Sequence, residues 1–328
     1  MEGYEMIVVR APLRVPFAGG LTDVKEYAAR FGGATVSSTV QAAAWVTMLP
    51  SVDGAFEVHS PGVVERAASL AGLKNDLVRE ALMSVDPEHP PVRVSVWLDV
   101  GTGSGVGSSG AITVGLVHTA RAYRGELPAP EALGTEAAHV EVESLKGASG
   151  YHDAHICARG GLLRLDYRGA DVTARPVAMS AVTREAFQAS LLLFETGWRA
   201  PTKASLQTLS ANFDTALPVL HDMKQLVDEL EGAFAAGDLT RVANCIGEQQ
   251  RLKQLLPGNF EDERVIDLVG RMRALGVGAQ LPGGKISGYL IVCCPDGQQA
   301  AVRAAVRELN EVPLELTTLG SVARSFNG

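Results

Sequence analysis

A strand pattern that ends in a dense cluster of glycines limits the fold of this chain more than any other feature. Val92, Val94, Val96 and Leu98 alternate with Arg93, Ser95 and Trp97, the period of a half-buried strand. The pattern runs straight into GTGSGVGSSGA at residues 101–111. Ile112, Leu116, Ala120 and Tyr123 then fall on one face at helical spacing. Glycine lacks a Cβ, so backbone amides in such a loop can turn toward an anion. A helix beginning at about Ser108 adds unpaired amides and the positive end of its dipole. The plainer alternative is a flexible Gly/Ser turn with a serine cap. The strand–loop–helix context makes phosphate binding the expectation. No Gly-Lys-Ser/Thr closes the loop, so it is not a Walker A loop, and its spacing and mid-chain position exclude the dinucleotide fingerprint.

Two further segments carry chemistry. APLRVPFAGGLTDVKEY, residues 11–27, holds two stiffening prolines and a Gly19–Gly20 turn that delivers Thr22 and Asp23. A carboxylate beside a glycine turn suits sugar hydroxyls; the alternative is an Asp capping the next helix. EVESLKGASGYHDAHICARGG, residues 141–161, presents Glu141, Glu143, His152, Asp153 and His155. Nothing completes a catalytic zinc set around its two histidines. On a helix over residues 130–145, Glu141 and Glu143 read equally well as a solvated face.

The rest of the chain supplies a scaffold. Its 328 residues suggest two domains, and 46% apolar residues provide for a core. The charge balance, 29 − 37 = −8, argues against a general nucleic-acid binder. The four cysteines, with no CxxC among them, read as small buried side chains in a reducing compartment. The opening MEGYEMIVVRAPLR shows no signal-peptide pattern, and no apolar run is long enough to span a bilayer, so a cytoplasmic location is expected. Strands are expected near residues 6–9, 34–49, 161–167, 190–194, 289–294 and 314–319. Helical stripes run through Leu220, Met223, Val227, Leu230 and Phe234, through Val265, Leu268, Val269, Met272 and Leu275, and over residues 298–309. The order is mixed α+β rather than strict βαβ winding. A polar stretch over residues 168–185 marks the boundary, giving domains at 1–175 and 176–328.

Taken together, the three segments resemble the GHMP small-molecule kinases. APLRVPFAGGLTDVKEYAARFGGATVSSTV is similar to the first family motif in its sugar-1-kinase form, and DVGTGSGVGSSGA to the second, Pro-x-x-Gly-Leu-Gly-Ser-Ser-x-Ala. GYHDAHICARGG is similar to the Gly-Tyr-Gln-Asp segment with the catalytic Asp. The resemblance implies a ribosomal S5 domain 2-like N-terminal domain and a ferredoxin-like C-terminal domain. It implies ATP and Mg²⁺ as cofactors, a small sugar phosphate as substrate, no nucleic-acid or membrane partner, and a homodimer as the assembly to test. Carried over by position, Asp153 is the catalytic Asp, with Arg14 beside it. Gly101, Gly103, Ser104, Gly105, Val106, Gly107, Ser108 and Ser109 form the ATP loop. Ser109 and Glu141 reach Mg²⁺. Arg14, Gly19, Gly20, Thr22, Asp23 and Asp153 form the acceptor site.

The function so implied is transfer of the ATP γ-phosphate to the anomeric hydroxyl of a heptose 7-phosphate or a related sugar. Two departures stand against it. His152 replaces the usual Gln before the catalytic Asp. The third motif, a glycine-rich loop leading into a strand, is replaced by the shorter LPGGKISGYLIVCC of residues 281–294. Lys285 at that gap is expected either to replace part of the lost positive field or to face solvent. The competing reading is a non-catalytic sugar- or nucleotide-binding member of the family. Retention of Ser109, Glu141 and Asp153 together favours the enzyme.

Overall fold

The computed structural model describes residues 5–101, 104–146, 149–198, 202–257, 262–284 and 286–327. Its strands are β1 (Glu5–Ala18), β2 (Gly33–Pro50), β3 (Phe56–Ser60), β4 (Val63–Ala67), β5 (Val92–Leu98), β6 (Leu162–Arg168), β7 (Asp171–Pro176), β8 (Leu191–Glu195), β9 (Gly278–Gln280), β10 (Tyr289–Cys293), β11 (Asn310–Val312), β12 (Leu316–Thr317) and β13 (Val322–Asn327). Its helices are α1 (Lys25–Phe31), α2 (Asp76–Val85), α3 (Ser108–Tyr123), α4 (Pro130–His139), α5 (His152–Arg159), α6 (Ala181–Ser190), α7 (Thr202–Ala211), α8 (Phe213–Ala236), α9 (Leu239–Gln254), α10 (Glu263–Ala274) and α11 (Gln299–Ala305).

Among the described residues nine strands form one sheet, whose main path runs β13-β1-β2-β5-β3-β4, with β6, β7 and β12 joined through β2. The long antiparallel pair of β1 and β2 is its spine. Its register breaks between Pro12 and Arg14 and again between Pro16 and Ala18. Proline has no N–H to give a ladder, so bulges at these two prolines are the expected outcome. Just past the first bulge Arg14 stands opposite Thr39, and its N–H donates to Val106 O at 3.0 Å. Sequence-level stiffening by proline thus becomes a device that ties β1 to the glycine-rich loop.

Helix α3 packs on β1 and β2 and is buried nearly all round, from Gly110 to Ala120. Most of those positions are small or β-branched, and Gly115 lies so close to β2 that a Cβ there would approach a Val46 methyl to 2.6 Å. The four-stranded second sheet runs β11-β8-β10-β9, with every pair antiparallel. With helices between β8 and β9 and α11 between β10 and β11, this is the β-α-β-β-α-β connection of a ferredoxin-like unit. The stripe Leu220, Met223, Val227, Leu230 and Phe234 is buried on α8, as its spacing predicts.

Several expectations need correction. The polar stretch 168–185 is not a bare linker: it holds β7 and the start of α6, with Ser180 accepting the Thr183 N–H as its N-cap. The helix expected to Leu145 ends at His139 and continues as a wide π-helical turn, Val140–Ser144. The helix expected over 298–309 is shorter, Gln299–Ala305, and the strand expected over 314–319 shrinks to Leu316–Thr317. The chain's end also returns to the first sheet: β12 pairs with β2 and β13 with β1. The last two strands therefore belong to the first sheet, although α6–α11 and the second sheet lie between them and residue 175 in the chain.

Candidate active site

The bulge at β1 and the start of α5 bring two charges together. Arg14 Nε donates to Asp153 Oδ1 at 2.7 Å and a terminal guanidinium nitrogen donates to Oδ2 at 2.9 Å. The other terminal nitrogen donates to Gly105 O at 2.6 Å. One guanidinium therefore links the carboxylate to the glycine-rich loop. This fork geometry is available to Arg and not to Lys. Asp153 keeps 27% side-chain exposure, against 8% for Arg14, so the carboxylate is the member of the pair that a ligand reaches. Burial alone would push Asp153 up; the Arg14 charge and contact with His152 overcome it and hold the carboxylate well below its ordinary range.

The loop itself is shaped by its glycines. Gly105 and Gly107 have φ of 82° and 78°, a region other residues rarely adopt. A Cβ on Gly105 would lie 2.4 Å from Ser287 Oγ and 2.5 Å from Pro282 O. Gly107 is the N-cap of α3 and no side chain caps the helix. A serine cap, the plainer alternative, is therefore not what the loop provides; Ser108 Oγ pairs with Ser104 Oγ at 3.1 Å instead. The uncapped first turn suits an anion. Val106 is buried and Gly101 exposed at the loop's start; Gly103 lies outside the described residues.

Ser109 and Glu141 meet, the Ser109 hydroxyl donating to Glu141 Oε1. The π-helical turn carries Glu141 into the interior, where it is 4% exposed. Burial raises it to about 7, against the opposing hydrogen bond from Ser109. No cation pairs with it among the described residues. Glu143, two residues on, is instead a partly exposed partner of Lys25 at 2.6 Å. The solvated-face reading fits Glu143 and not Glu141.

Asp23 does not cap α1, whose N-cap is Val24. Its Oδ2 accepts the His152 N–H at 3.2 Å, and a Cβ on Gly150 would come within 1.8 Å of that oxygen. Gly150 is thus required by close approach, and Asp23 leans on the segment that carries Asp153. Asp23, Gly20, Arg14 and Asp153 line one cleft with Gly150 and His152. Gly19 and Thr22 do not line it. The Thr22 hydroxyl is fully buried and bonded to Gly19 O and Ala34 O, both at 2.8 Å, and the Gly19 N–H donates to Gln249 Oε1. These two residues fold the turn rather than face a ligand.

The opposite wall comes from the second half of the chain; the segment beginning at Leu281 was expected there, whereas Gln249, Lys253 and Gln280 were not anticipated. Gln249 and Lys253 on α9, Gln280 on β9, and Leu281, Pro282 and Gly283 line the same cleft. The segment that replaces the third motif presses on the second: Ser287 Oγ donates to Ser104 O at 2.8 Å, and the Thr196 hydroxyl donates to Ser287 O at 2.7 Å. Lys285 lies outside the described residues. A signal for α9 was present, since Val242, Ile246, Gln249 and Lys253 recur at helical spacing on a stripe that begins apolar and ends polar.

Residues 71–161 match the family model for the GHMP kinases N terminal domain. The chain is 25% identical over 279 residues to a D-glycero-alpha-D-manno-heptose 7-phosphate kinase of Campylobacter jejuni, covering 80% of this chain and 82% of that protein. It is 23% identical over 300 residues to a mevalonate kinase of Methanothermobacter thermautotrophicus, covering 90% and 95%. The crystal structure of a D-glycero-D-manno-heptose 1-phosphate kinase from Bacteroides thetaiotaomicron superposes with a TM-score of 0.78 at 19% identity, over 97% of this chain and 98% of that one. The loop and paired residues described above fall within the matched segment or are tied to it by Arg14, and the chain carries a GHMP kinase N-terminal domain built into the GHMP kinase fold.

Proposed function

We propose that this protein is an ATP-dependent sugar kinase whose acceptor is the anomeric hydroxyl of a heptose 7-phosphate or a related sugar. The observation that carries the reading is the Arg14–Asp153 pair, open to the cleft on one side and bonded to the Gly105 carbonyl on the other. Phosphoryl transfer depends on positioning and charge stabilisation more than on strong base chemistry. Asp153, held ionised, accepts the acceptor's O–H and orients its lone pair. Because its carboxylate is a weak base, it takes the proton only as the new P–O bond forms and the oxygen's acidity rises. Arg14 stays cationic within reach of the loop and steadies charge on the transferred group.

The residues also fit a divalent cation. Glu141 is a buried carboxylate with no cationic partner among the described residues, and a hydroxyl stands beside it. Two protein oxygens suit Mg²⁺, which completes its shell with phosphate oxygens and water. Ser109 and Glu141 would hold it, and it would neutralise charge on the nucleotide phosphates. Among the described residues no cluster of three or more His, Cys, Asp or Glu side chains offers a metal site.

The test is ATP turnover against a panel of sugars and sugar phosphates, with Mg²⁺ titrated. Turnover on a heptose phosphate, with Ser109→Ala and Glu141→Gln each raising the Mg²⁺ needed for half-maximal rate, upholds the reading. ATP binding without turnover on any sugar makes the protein a non-catalytic binder, the competing reading raised by its short third motif.

A further inference from the structure

Lys253 sits where the kinase reading assigns nothing. It lies in the last turn of α9, is 6% exposed, and lines the cleft with Asp23 and Asp153. Its ammonium donates to Leu281 O, which accounts for one of three donors. No carboxylate lies within ion-pair distance of it among the described residues. Arg14, in the same cleft, already has its charge paired with Asp153 and spends three of its five N–H donors on Asp153 and Gly105. A buried ammonium without a counter-charge is costly unless a ligand supplies one. Gln249 lines the same wall with its amide oxygen committed to the Gly19 N–H, which leaves its NH₂ as the ligand-facing donor.

The side of the cleft identifies the ligand. Lys253 shares its cavity with Gly20, Asp23, Gly150 and Asp153, and not with Ser104, Ser108 or Ser109 of the glycine-rich loop. It therefore faces the acceptor rather than the donor nucleotide. We infer that Lys253 receives an anionic group carried by the acceptor away from its reacting hydroxyl, a phosphate ester, so that this site selects sugars that are already phosphorylated. The inference rests on the sugar-kinase reading and adds the residue that enforces its substrate class. Leu281 O fixes the amine from the segment that replaces the third motif, so the altered loop acts as a scaffold for acceptor specificity. The reaction that supplies this substrate must itself leave a phosphate ester on the sugar.

The experiment compares the full-length wild type with Lys253→Met and Lys253→Arg on D-glycero-D-manno-heptose 7-phosphate and on the unphosphorylated heptose, with ATP. Wild type should favour the phosphorylated sugar. Lys253→Met should erase that preference through a rise in its KM of roughly 10- to 100-fold, the range of one charge-assisted hydrogen bond. Lys253→Arg should keep part of it. A thermal melt identifies a misfolded variant, and the Arg substitution then decides. Equal loss of kcat/KM on both sugars, or an undiminished preference in Lys253→Met, would overturn the inference while the kinase reading stood. If wild type turns over neither sugar, calorimetry with heptose 7-phosphate and inorganic phosphate separates the two claims. Binding that Lys253→Met abolishes keeps the inference and rejects the kinase; binding that is absent or indifferent to Lys253 rejects both.

Discussion

Asp153 and Lys253 occupy one cleft and are shifted by opposite balances of the same forces. Around Asp153, a close guanidinium outweighs burial and keeps the group charged. Asp153→Asn keeps the shape but removes both the charge that orients the acceptor and the partner of a buried arginine. It should reduce kcat by roughly 10²-fold or more with KM for ATP retained. A correctly folded variant with near-normal kcat would return Asp153 to a structural role. Around Lys253 burial has no opponent and lowers it to about 7. Its ordinary value is 10.5, so between pH 7 and 10.5 the unfolded chain binds a proton that the folded chain does not. Stability then rises with pH across that window, by up to about 4 kcal/mol at some 1.4 kcal/mol per unit. Below pH 7 both states are protonated and the whole penalty is present. Urea unfolding at pH 7 and pH 10 should show this rise in wild type, and Lys253→Met should flatten it. An identical slope in the two proteins would mean that Lys253 is hydrated in solution.

Elements show what was legible in the sequence. The strand at 92–98, the glycine loop and α3 were readable because each rests on a short-range rule: alternation, missing Cβ atoms and helical spacing. The Arg14–Asp153 pairing spans 139 positions and came only from resemblance, since no local rule joins a bulged strand to a distant helix. Glu141 was ambiguous for a related reason. In a regular helix Glu141 and Glu143 lie about 200° apart, so one of them faces inward, but spacing alone does not say which; in the π-helical turn it is Glu141 that is buried and Glu143 that stays partly exposed. The polar end of α9 was missed because polar residues on an inward stripe look like solvent-facing ones until the partner wall is known. At this scale the glycine loop makes its own prediction. Gly105→Ala puts a methyl group against Pro282 O and Ser287 Oγ and imposes a disfavoured φ. It should cost about 1–3 kcal/mol and displace the carbonyl that Arg14 binds. The rate should therefore fall more than the loss of stability alone explains. Activity that tracks the folded fraction and nothing else would show that the loop adjusts around the methyl group.

At the scale of the whole molecule, the question is whether the two halves are separable folding units. One apolar core argues that they are not. β13 pairs with β1 from Glu5 to Arg10 and so covers the outer edge of that strand. Leu220, Val227, Leu230 and Phe234 of α8, and Val242 and Ile246 of α9, belong to the same continuous core as Val15, Phe17, Val36 and Leu165 of the first sheet. A second, smaller core lies under the four-stranded sheet, built from Leu192, Phe194, Leu268, Met272 and Val292 among others. Gly320 packs so tightly against Ala158 and Arg159 that a Cβ there would approach the Ala158 carbonyl to 2.2 Å, which ties the returning tail to the helix that carries Asp153. Expressed alone, residues 1–175 would lose the strand that covers the β1 edge and the helices that cover one face of the sheet. Each buried leucine or phenylalanine partner removed gives up roughly 2 kcal/mol, and a bare, long edge strand invites association. A small domain has only about 5–15 kcal/mol of stability to lose. The fragment should therefore collapse without fixed packing and aggregate, with strand-like far-ultraviolet circular dichroism, poor amide dispersion in NMR spectra and no cooperative melt. A well-dispersed spectrum with a cooperative transition from residues 1–175 alone would establish two independent domains. It would also mean that the second half docks on a finished sheet.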